Sequence, residues 1–156
     1  MKKIFELSKT YGFKIIEDAS HAAGADYMGK KVGSCDYSHI AVFSFHPIKI
    51  ITSIEGGIAL TNDNNLYKKL MSHRSHGITS DKDCMQPRSN NEIWNYQQIM
   101  LGHNYRMTDV AAALGISQLS RIDKFVSLRR EIAEFYFKNL SSTEYILPYQ
   151  SENSKS

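Results

Sequence analysis

The chain has 156 residues, and the 42% that are hydrophobic are enough to bury a single core. The net charge is +3 and the basic residues are scattered, so the charge pattern does not predict a nucleic-acid partner. No run approaches the roughly 18 consecutive apolar residues of a membrane span. Cys35 and Cys84 are isolated thiols without a paired spacing, which is consistent with a reducing, cytoplasmic location.

The first two elements are predicted from a glycine boundary and a short apolar run. Residues 1–11 predict a helix that ends at Gly12. They do not predict a signal peptide, because no apolar segment follows the basic start. Residues 13–17 then predict a strand that ends at Asp18.

The centre of the chain alternates strands with turns and loops. Residues 27–33 predict a short hairpin with a glycine at its turn. Residues 40–45 predict a buried strand, whose polar end is Ser44. A loop at residues 46–55 and another strand at residues 56–61 follow. We therefore expect an α/β fold with a mostly parallel sheet and flanking helices.

The second half of the chain is predicted to be mainly helical. An Asn/Asp cluster at residues 62 and 63 predicts the start of a helix that runs to about His73. Residues 75–101 are polar and irregular, which predicts a long loop. Thr108 predicts the cap of a third helix, and a fourth is expected at about residues 122–140. The polar tail is expected to be frayed.

Lys49 is the only lysine between Lys31 and Lys68, and its neighbours are apolar. Apolar side chains around an amine remove its hydration, which keeps part of it neutral and nucleophilic. That is the state that forms a Schiff base with a carbonyl compound. The alternative, on spacing alone, is a lysine that extends from a strand end into solvent.

Polar groups at two strand ends favour the first interpretation. Asp18 ends one predicted strand, and Ser44 ends another, five residues before Lys49. Ligands of open α/β sheets bind beyond the carboxyl ends of the strands, so these three side chains could meet on one ligand. An aldehyde cofactor with a pyridine ring and a phosphate needs an amine, a carboxylate and a hydroxyl. The pattern therefore predicts a site for such a cofactor.

Five ordered blocks resemble the DegT/DnrJ/EryC1/StrS sugar aminotransferases, which are fold-type-I pyridoxal-phosphate enzymes acting on nucleotide-linked keto sugars. The blocks are residues 17–25 (EDASHAAGA), 44–49 (SFHPIK), 55–57 (EGG), 74–77 (RSHG) and 102–109 (GHNYRMTD). Within the family, His21 and the fifth block look most like the branch that serves pseudaminic acid synthesis. That branch aminates C4 of UDP-2-acetamido-2,6-dideoxy-hexos-4-ulose. One departure is Ile54, where relatives usually carry Ala or Gly.

The resemblance implies a role for each matching residue, with pyridoxal 5'-phosphate as the cofactor. Lys49 would bind its aldehyde covalently and move protons, while Asp18 would pair with its ring nitrogen. His21 would lie near its phenolic oxygen, and Ser44 would bind its phosphate. The resemblance also implies that Asn104 reaches into a neighbouring subunit. His46, Asn104 and Tyr105 are the expected substrate contacts.

The resemblance implies that only the middle part of the family's chain is present, truncated at both ends. Residues 1–120 would be the C-terminal half of the cofactor-binding large domain, residues 121–142 a helix leading to the small domain, and residues 143–156 a tail. The partners implied are a nucleotide-sugar substrate, an amino donor such as glutamate, and a second subunit of a homodimer or complementing fragments. An inactive remnant or split-gene piece that acts only with a partner chain is the alternative.

Two other classes of function fit parts of the sequence. Residues 108–121 could be a helix-turn-helix that binds DNA, with its turn at Gly115, although Arg121 is the only basic residue in the second half of that segment. A metal site could use several ligand-type side chains whose spacing matches no standard zinc pattern, namely His73, His76, Cys84 and His103.

The predicted loop contains two large aromatic residues. Trp94 and Tyr96 could form a surface for a partner or a small satellite core beneath the loop. The sequence alone favours neither interpretation.

Overall fold

A computed structural model describes residues 1–87, 94–142 and 144–156. The elements in chain order are α1 (Lys2–Tyr11), β1 (Ile16–Asp18), β2 (Asp26–Tyr27), β3 (Lys30–Lys31), β4 (Ile40–Ser44), β5 (Gly57–Leu60), α2 (Asn64–Arg74), β6 (Ile78–Thr79), β7 (Gln97–Gln98), α3 (Asp109–Leu119), α4 (Ile122–Leu140) and β8 (Ser154–Lys155). The chain divides into two compact units. Residues Met1–Asn62 with Thr108–Ser156 form the first unit, and Asp63–Met107 form the second.

The principal sheet of the first unit has the strand order β1-β4-β5. β1 is parallel to β4, with Asp18 opposite Val42, and β5 is antiparallel to β4, with Gly57 opposite Ser44. The expected α/β class is confirmed, although the sheet described here contains one parallel and one antiparallel pair. Because β1 and β4 are parallel, Asp18 and Ser44 lie at the same edge of the sheet.

The core of the first unit lies against one face of β4. Ala41 and Phe43 are buried and their neighbours along the strand are half-buried, so the predicted buried strand is present and one of its faces is the more deeply buried. Ala19 completes this cluster, and Val32 and Leu60 pack against it. The alternation follows from the pleat of a strand, which points successive side chains to opposite faces.

The helices of the first unit confirm their predicted boundaries. Gly12 ends α1 with a φ of 73°, a left-handed conformation that glycine adopts without steric cost. Thr108 caps α3, because its side chain accepts a hydrogen bond from Ala111 N at 3.3 Å. Gly115 lies inside α3 rather than at a turn, so the predicted helix-turn-helix within residues 108–121 is wrong.

The hairpin of β2 and β3 is confirmed, and its turn explains why a glycine is present. Met28 and Gly29 both have positive φ angles, of 52° and 79°, which is the combination that a two-residue hairpin turn requires. The antiparallel pairing of Tyr27 with Lys30 closes this turn. On the side away from β3, β2 pairs with β8 at the end of the chain.

The expectation of a frayed tail was wrong. β8 pairs antiparallel with β2, and Met28 N donates to Asn153 O at 2.7 Å. Arg130 on α4 donates from Nε to the carbonyl of Ser156 at 3.0 Å. A polar sequence does not exclude ordered structure, because backbone pairing uses groups that every such residue has.

The second unit begins with α2, whose predicted cap is confirmed. The Asp63 side chain accepts hydrogen bonds from the backbone N–H groups of Asn65 and Leu66.

The segment at residues 75–101, predicted as a loop, contains the short antiparallel strands β6 and β7. Part of it, residues 88–93, lies outside the described residues. Trp94 and Tyr96 are 72% and 65% exposed, which favours a surface over a satellite core.

Among the residues that the structure describes, none of the helices has both the length and the apolar character needed to cross a membrane.

Two glycines should respond in opposite ways to replacement by alanine. A Cβ at Gly57 would lie 2.5 Å from the carbonyl oxygen of Phe43, whereas a Cβ at Gly115 would meet Ser53 Cβ at an ordinary 3.5 Å. We predict that Gly57→Ala lowers the free energy of unfolding by about 1–3 kcal/mol. The matched variant Gly115→Ala should raise it by up to about 1 kcal/mol, because alanine favours helix. Chemical denaturation followed by circular dichroism would check both in a soluble protein that contains residues 1–156. Equal changes in the free energy of unfolding would contradict the close approach of Gly57 to Phe43 O.

Candidate active site

Three elements of the first unit position the predicted cofactor residues. Asp18 ends β1, Ser44 ends β4, and Lys49 follows β4 in the loop that leads to β5. Ser44 Oγ accepts from His46 N at 3.4 Å, so the Ser44 hydroxyl proton is available to a ligand. Asp18 is exposed and Ser44 is half-buried, so the edge of the sheet is open to solvent here.

Asp18 is held by Ser20, a residue that the sequence did not single out. Ser20 donates to Asp18 Oδ1 from its backbone N–H at 3.0 Å and from its hydroxyl at 2.5 Å. These hydrogen bonds are the main cause of a lowered pKa of Asp18. Burial acts in the opposite direction, and the charges of Lys49 and His21 lower the pKa by smaller amounts. Both bonds end on one oxygen, so they orient the carboxylate without using Oδ2. The spacing Asp-x-Ser, typical of a side-chain turn, was the available signal.

Lys49 and His21 lie in contact with each other. Lys49 Nζ lies 2.6 Å from His21 Nε2, although the residues are 28 positions apart in sequence. An ammonium group can only donate, so this contact in the charged form of Lys49 requires a free lone pair on Nε2. The charges of Lys49 and His21 both lower the pKa of Asp18. The amine, the imidazole and the carboxylate therefore form one cluster.

The argument from apolar neighbours around Lys49 was wrong. The side chain of Ile48 is 74% exposed, and Lys49 itself is half-buried. The neighbouring isoleucine that predicted an enclosed amine points to solvent because residues 47 and 48 form a turn outside the sheet. In this chain, the contact with His21 distinguishes Lys49 from other surface lysines.

The loop that carries Lys49 is closed at its base. Phe45 N donates to Gly56 O at 2.9 Å, and Phe45 O accepts from Ser53 N at 3.0 Å. Ser53 is completely buried, and its hydroxyl donates to Glu55 O at 2.9 Å. Ile54 has a φ of 73°, unusual for a β-branched residue, and its side chain is 59% exposed. Its bulk therefore points outward and does not disturb packing beneath the loop.

His46 has contacts on both sides of the loop. Its Nδ1 accepts from Ile48 N at 3.2 Å, and its Nε2 lies 3.9 Å from Glu55 Oε1. Glu55 is a second residue that the sequence did not single out. Its place at the start of the third block, EGG, was the only signal.

Asn104 and Tyr105 belong to the second unit. Asn104 forms an isolated bridge with Ser75, and Tyr105 N donates to Arg74 O at 2.9 Å. The Tyr105 ring stacks on His103 with 4.7 Å between ring centroids, and Tyr105 is 73% exposed. Their expected contacts with substrate and with a neighbouring subunit stay predictions.

The candidate metal ligands do not assemble into a site. In the parts of the chain that the structure describes, no group of three or more His, Cys, Asp or Glu side chains could hold a metal ion. Cys35 Sγ instead contacts Leu60 O at 3.3 Å, and both cysteines are free thiols.

An amine, a carboxylate with a lowered pKa and a hydroxyl lie at the carboxyl edge of an α/β sheet, and these are groups that a pyridoxal-phosphate cofactor needs. The chain belongs to the DegT/DnrJ/EryC1/StrS aminotransferase family, which it matches over residues 1–156.

Similar proteins fall within this family. A UDP-4-amino-4,6-dideoxy-N-acetyl-beta-L-altrosamine transaminase of Campylobacter jejuni is 43% identical over 145 residues, which are 93% of this chain and 35% of that protein. A GDP-perosamine synthase of Escherichia coli O157:H7 is 38% identical over 91% of this chain and 35% of its own length. The solved structure of Helicobacter pylori PseC, an aminotransferase involved in the biosynthesis of pseudoaminic acid, has a TM-score of 0.81 at 33% identity, over 94% of this chain and 36% of that one.

These comparisons also define the extent of the match. The chain spans about a third of the length of the curated relatives, which is 35% of the two described above. The fold-type-I expectation is confirmed by the sugar aminotransferase structures that it resembles.

Members of this family depend on pyridoxal 5'-phosphate. The donor set of this chain fits that group. Lys49 supplies a primary amine, Asp18 supplies a carboxylate whose lowered pKa keeps it ionised, and Ser44 supplies a hydroxyl. The two bonds from Ser20 leave Asp18 Oδ2 for a ring nitrogen.

Removing the Ser20 hydroxyl should raise the pKa of Asp18 towards its ordinary value of 3.8, because its side-chain hydrogen bond is the largest cause of the lowered pKa. A lowered pKa stabilises the folded chain above about pH 3.8, and this contribution is lost as the pH falls through the lowered value. Ser20→Ala should therefore be less stable than the wild type at neutral pH and equally stable in acid. Carbon NMR of the Asp18 carboxyl would check the pKa.

The matched control for this prediction is Ser20→Thr, which keeps a hydroxyl at the same position and should leave the pKa of Asp18 low. An unchanged pKa of Asp18 in Ser20→Ala would contradict the conclusion that the Ser20 hydroxyl is the main cause of the lowered pKa.

Proposed function

We propose that this chain provides the lysine-bearing part of the active site of a nucleotide-sugar aminotransferase. The reaction would transfer an amino group from glutamate to C4 of a nucleotide-linked 4-keto-6-deoxy sugar, UDP-2-acetamido-2,6-dideoxy-hexos-4-ulose. The observation that carries the proposal is the 2.6 Å contact between Lys49 Nζ and His21 Nε2 beside the ionised Asp18. Family membership supports the reaction class.

Each residue of the cluster has a distinct task in this proposal. When bound, pyridoxal phosphate supplies an aldehyde and an electron-withdrawing ring. The Lys49 amine would hold the aldehyde carbon, whose oxygen leaves as water, and would then move a proton to or from the substrate carbon. Asp18 would hold the ring nitrogen in a charge-assisted hydrogen bond. Ser44 donates to the phosphate, and His21 orients the Lys49 amine near the phenolic oxygen.

The choice of sugar rests on the relatives. Two of them are named for products carried on different nucleotides, an altrosamine on UDP and a perosamine on GDP. We favour the UDP sugar because the altrosamine transaminase has the higher identity, 43% against 38%. In this proposal Asn104 and Tyr105 contact the sugar, and Asn104 does so from a neighbouring subunit of a homodimer.

The proposal applies to the chain together with segments equivalent to the remaining length of its relatives. The match covers 35% of the Campylobacter protein, so most of the groups that would surround the sugar lie outside it. A second candidate is a remnant or split-gene piece that acts only with a partner chain, and the exposed Ile16 on the edge strand β1 favours pairing with such a chain. The two candidates differ in whether one chain, completed with the remaining segments, catalyses the reaction without a partner chain.

The covalent role of Lys49 predicts a specific chemical label. After incubation with pyridoxal phosphate and reduction with borohydride, a phosphopyridoxyl group should be found on Lys49, because His21 holds this amine beside the acid and hydroxyl that bind the cofactor. Peptide mapping by mass spectrometry would locate the label. Lys49→Arg should lose it, while Lys68 serves as an internal reference for unselective labelling. A label distributed equally between the two lysines would refute the role.

The extent of the match predicts that residues 1–156 alone have no turnover. Apolar side chains such as Ile16 on the edge strand β1 and Phe135 on α4 are 68% and 65% exposed, which favours aggregation or pairing with another chain. The isolated chain should therefore be poorly soluble or partly folded and should bind the cofactor weakly. Light scattering after gel filtration and an assay with a panel of UDP-, GDP- and dTDP-linked 4-keto sugars would check this.

The control is the same chain joined to the remaining segments of the Campylobacter relative. That protein should form a homodimer and turn over one of the sugars. A monodisperse isolated chain with turnover would contradict the prediction, and activity only on mixing separate chains would favour the second candidate.

A further inference from the structure

The turn at residues 46–49 determines where the Lys49 side chain begins. Lys49 N donates to His46 O at 2.9 Å, which closes a four-residue turn with Pro47 at its second position. Proline is favoured there because its ring fixes φ near the value that the turn needs. It has no backbone N–H, so Ile48 N and Lys49 N are the donors available to hold the turn.

His46 satisfies both donors. Its carbonyl accepts from Lys49 N, and its Nδ1 accepts from Ile48 N at 3.2 Å. The second bond runs from a side chain to the backbone two residues later, which is the contact that Asn or Asp makes at the first position of such turns. His46 therefore acts in this loop as an Asx-type residue.

The ring nitrogens of His46 have separate environments. Because a backbone N–H can only donate, Nδ1 carries no proton in this arrangement and the ring proton lies on Nε2. Nε2 faces Glu55 Oε1 at 3.9 Å, and that carboxylate favours a proton on Nε2. His46 N also donates to Ser44 Oγ at 3.4 Å, so the same residue connects the ends of the cofactor cluster.

We infer that His46 is a positioning residue, which sets the placement of Lys49 through the Nδ1 contact with Ile48 N. This inference rests on the proposed function of Lys49, and it replaces a direct sugar contact as the role of His46. A side chain whose Nδ1 is engaged within the turn acts on the reaction through the lysine. Glu55 supports this role by holding the tautomer in which Nδ1 accepts.

Two substitutions separate the functions of the two ring nitrogens. In His46→Asn, the asparagine Oδ1 is separated from the backbone by the same number of bonds as the histidine Nδ1, so it can accept from Ile48 N. The asparagine has no group in the position of Nε2. In His46→Leu, neither contact remains. If His46 positions the turn, His46→Asn keeps the placement of Lys49 and His46→Leu loses it. If His46 instead binds the sugar through Nε2, both variants label Lys49 at the wild-type rate and lose turnover of the sugar equally.

The experiment measures the rate of labelling of Lys49 by pyridoxal phosphate and borohydride, relative to Lys68, in the chain completed with the remaining segments of the Campylobacter relative. His46→Leu should slow labelling of Lys49 by about three- to tenfold, the effect expected for one lost hydrogen bond. His46→Asn should label within about twofold of the wild type, since it restores that bond. His73→Leu, a histidine replacement in the second unit, should have no effect.

A second measurement does not use the cofactor. Amide hydrogen exchange at Ile48 and Lys49 should accelerate about three- to tenfold in His46→Leu and stay near the wild-type rate in His46→Asn. Unchanged exchange in His46→Leu, or equal labelling of both variants and the wild type, overturns the positioning role. Absence of a selective Lys49 label in the wild type instead refutes the proposed function, while the exchange result still tests the contact.

Discussion

The parallel pairing of β1 with β4 is the constraint on which the site depends. The register that sets Asp18 opposite Val42 places the ends of both strands at one edge of the sheet. Ala19 and Ala41 are almost completely buried beside this edge, so a slip of one residue would expose them and bury polar neighbours. The same packing that stabilises the core therefore fixes the positions of Asp18 and Ser44.

The lysine loop adds a second level of order to this edge. Its base is closed through Phe45 and the buried Ser53, while its tip is a turn controlled by His46. His21 approaches the tip from the other side, on the segment that follows β1. The backbone of Lys49 is thus held in the turn that follows β4, and its amine contacts His21 on the segment that follows β1. Placement from both ends leaves the amine fewer orientations, which is what covalent catalysis requires.

The sequence predicted which strand ends lie together better than it predicted the exposure of the residues around them. Asp18, His21 and Lys49 could be placed together because strand ends and family motifs constrain where they lie, and the labelling of Lys49 by pyridoxal phosphate tests that grouping. The exposure of Ile48 could not be predicted, because an apolar run does not reveal that a proline turn leaves the sheet. The pairing of β8 with β2 was also missed, since it depends on contacts more than 120 residues apart that no local pattern records.

Solvent exposure determines the strength of the electrostatic contacts at this open edge. Asp18 and His21 are exposed, so water screens their interaction with Lys49 and weakens every charge-assisted contact in the cluster. Covering the edge would strengthen these contacts without moving any residue, because their geometry is already set by β1, β4 and the lysine loop. Geometry and dielectric environment are therefore separable in this protein. The described chain supplies the geometry, and exclusion of water from the edge would strengthen the contacts on which the proposed reaction depends.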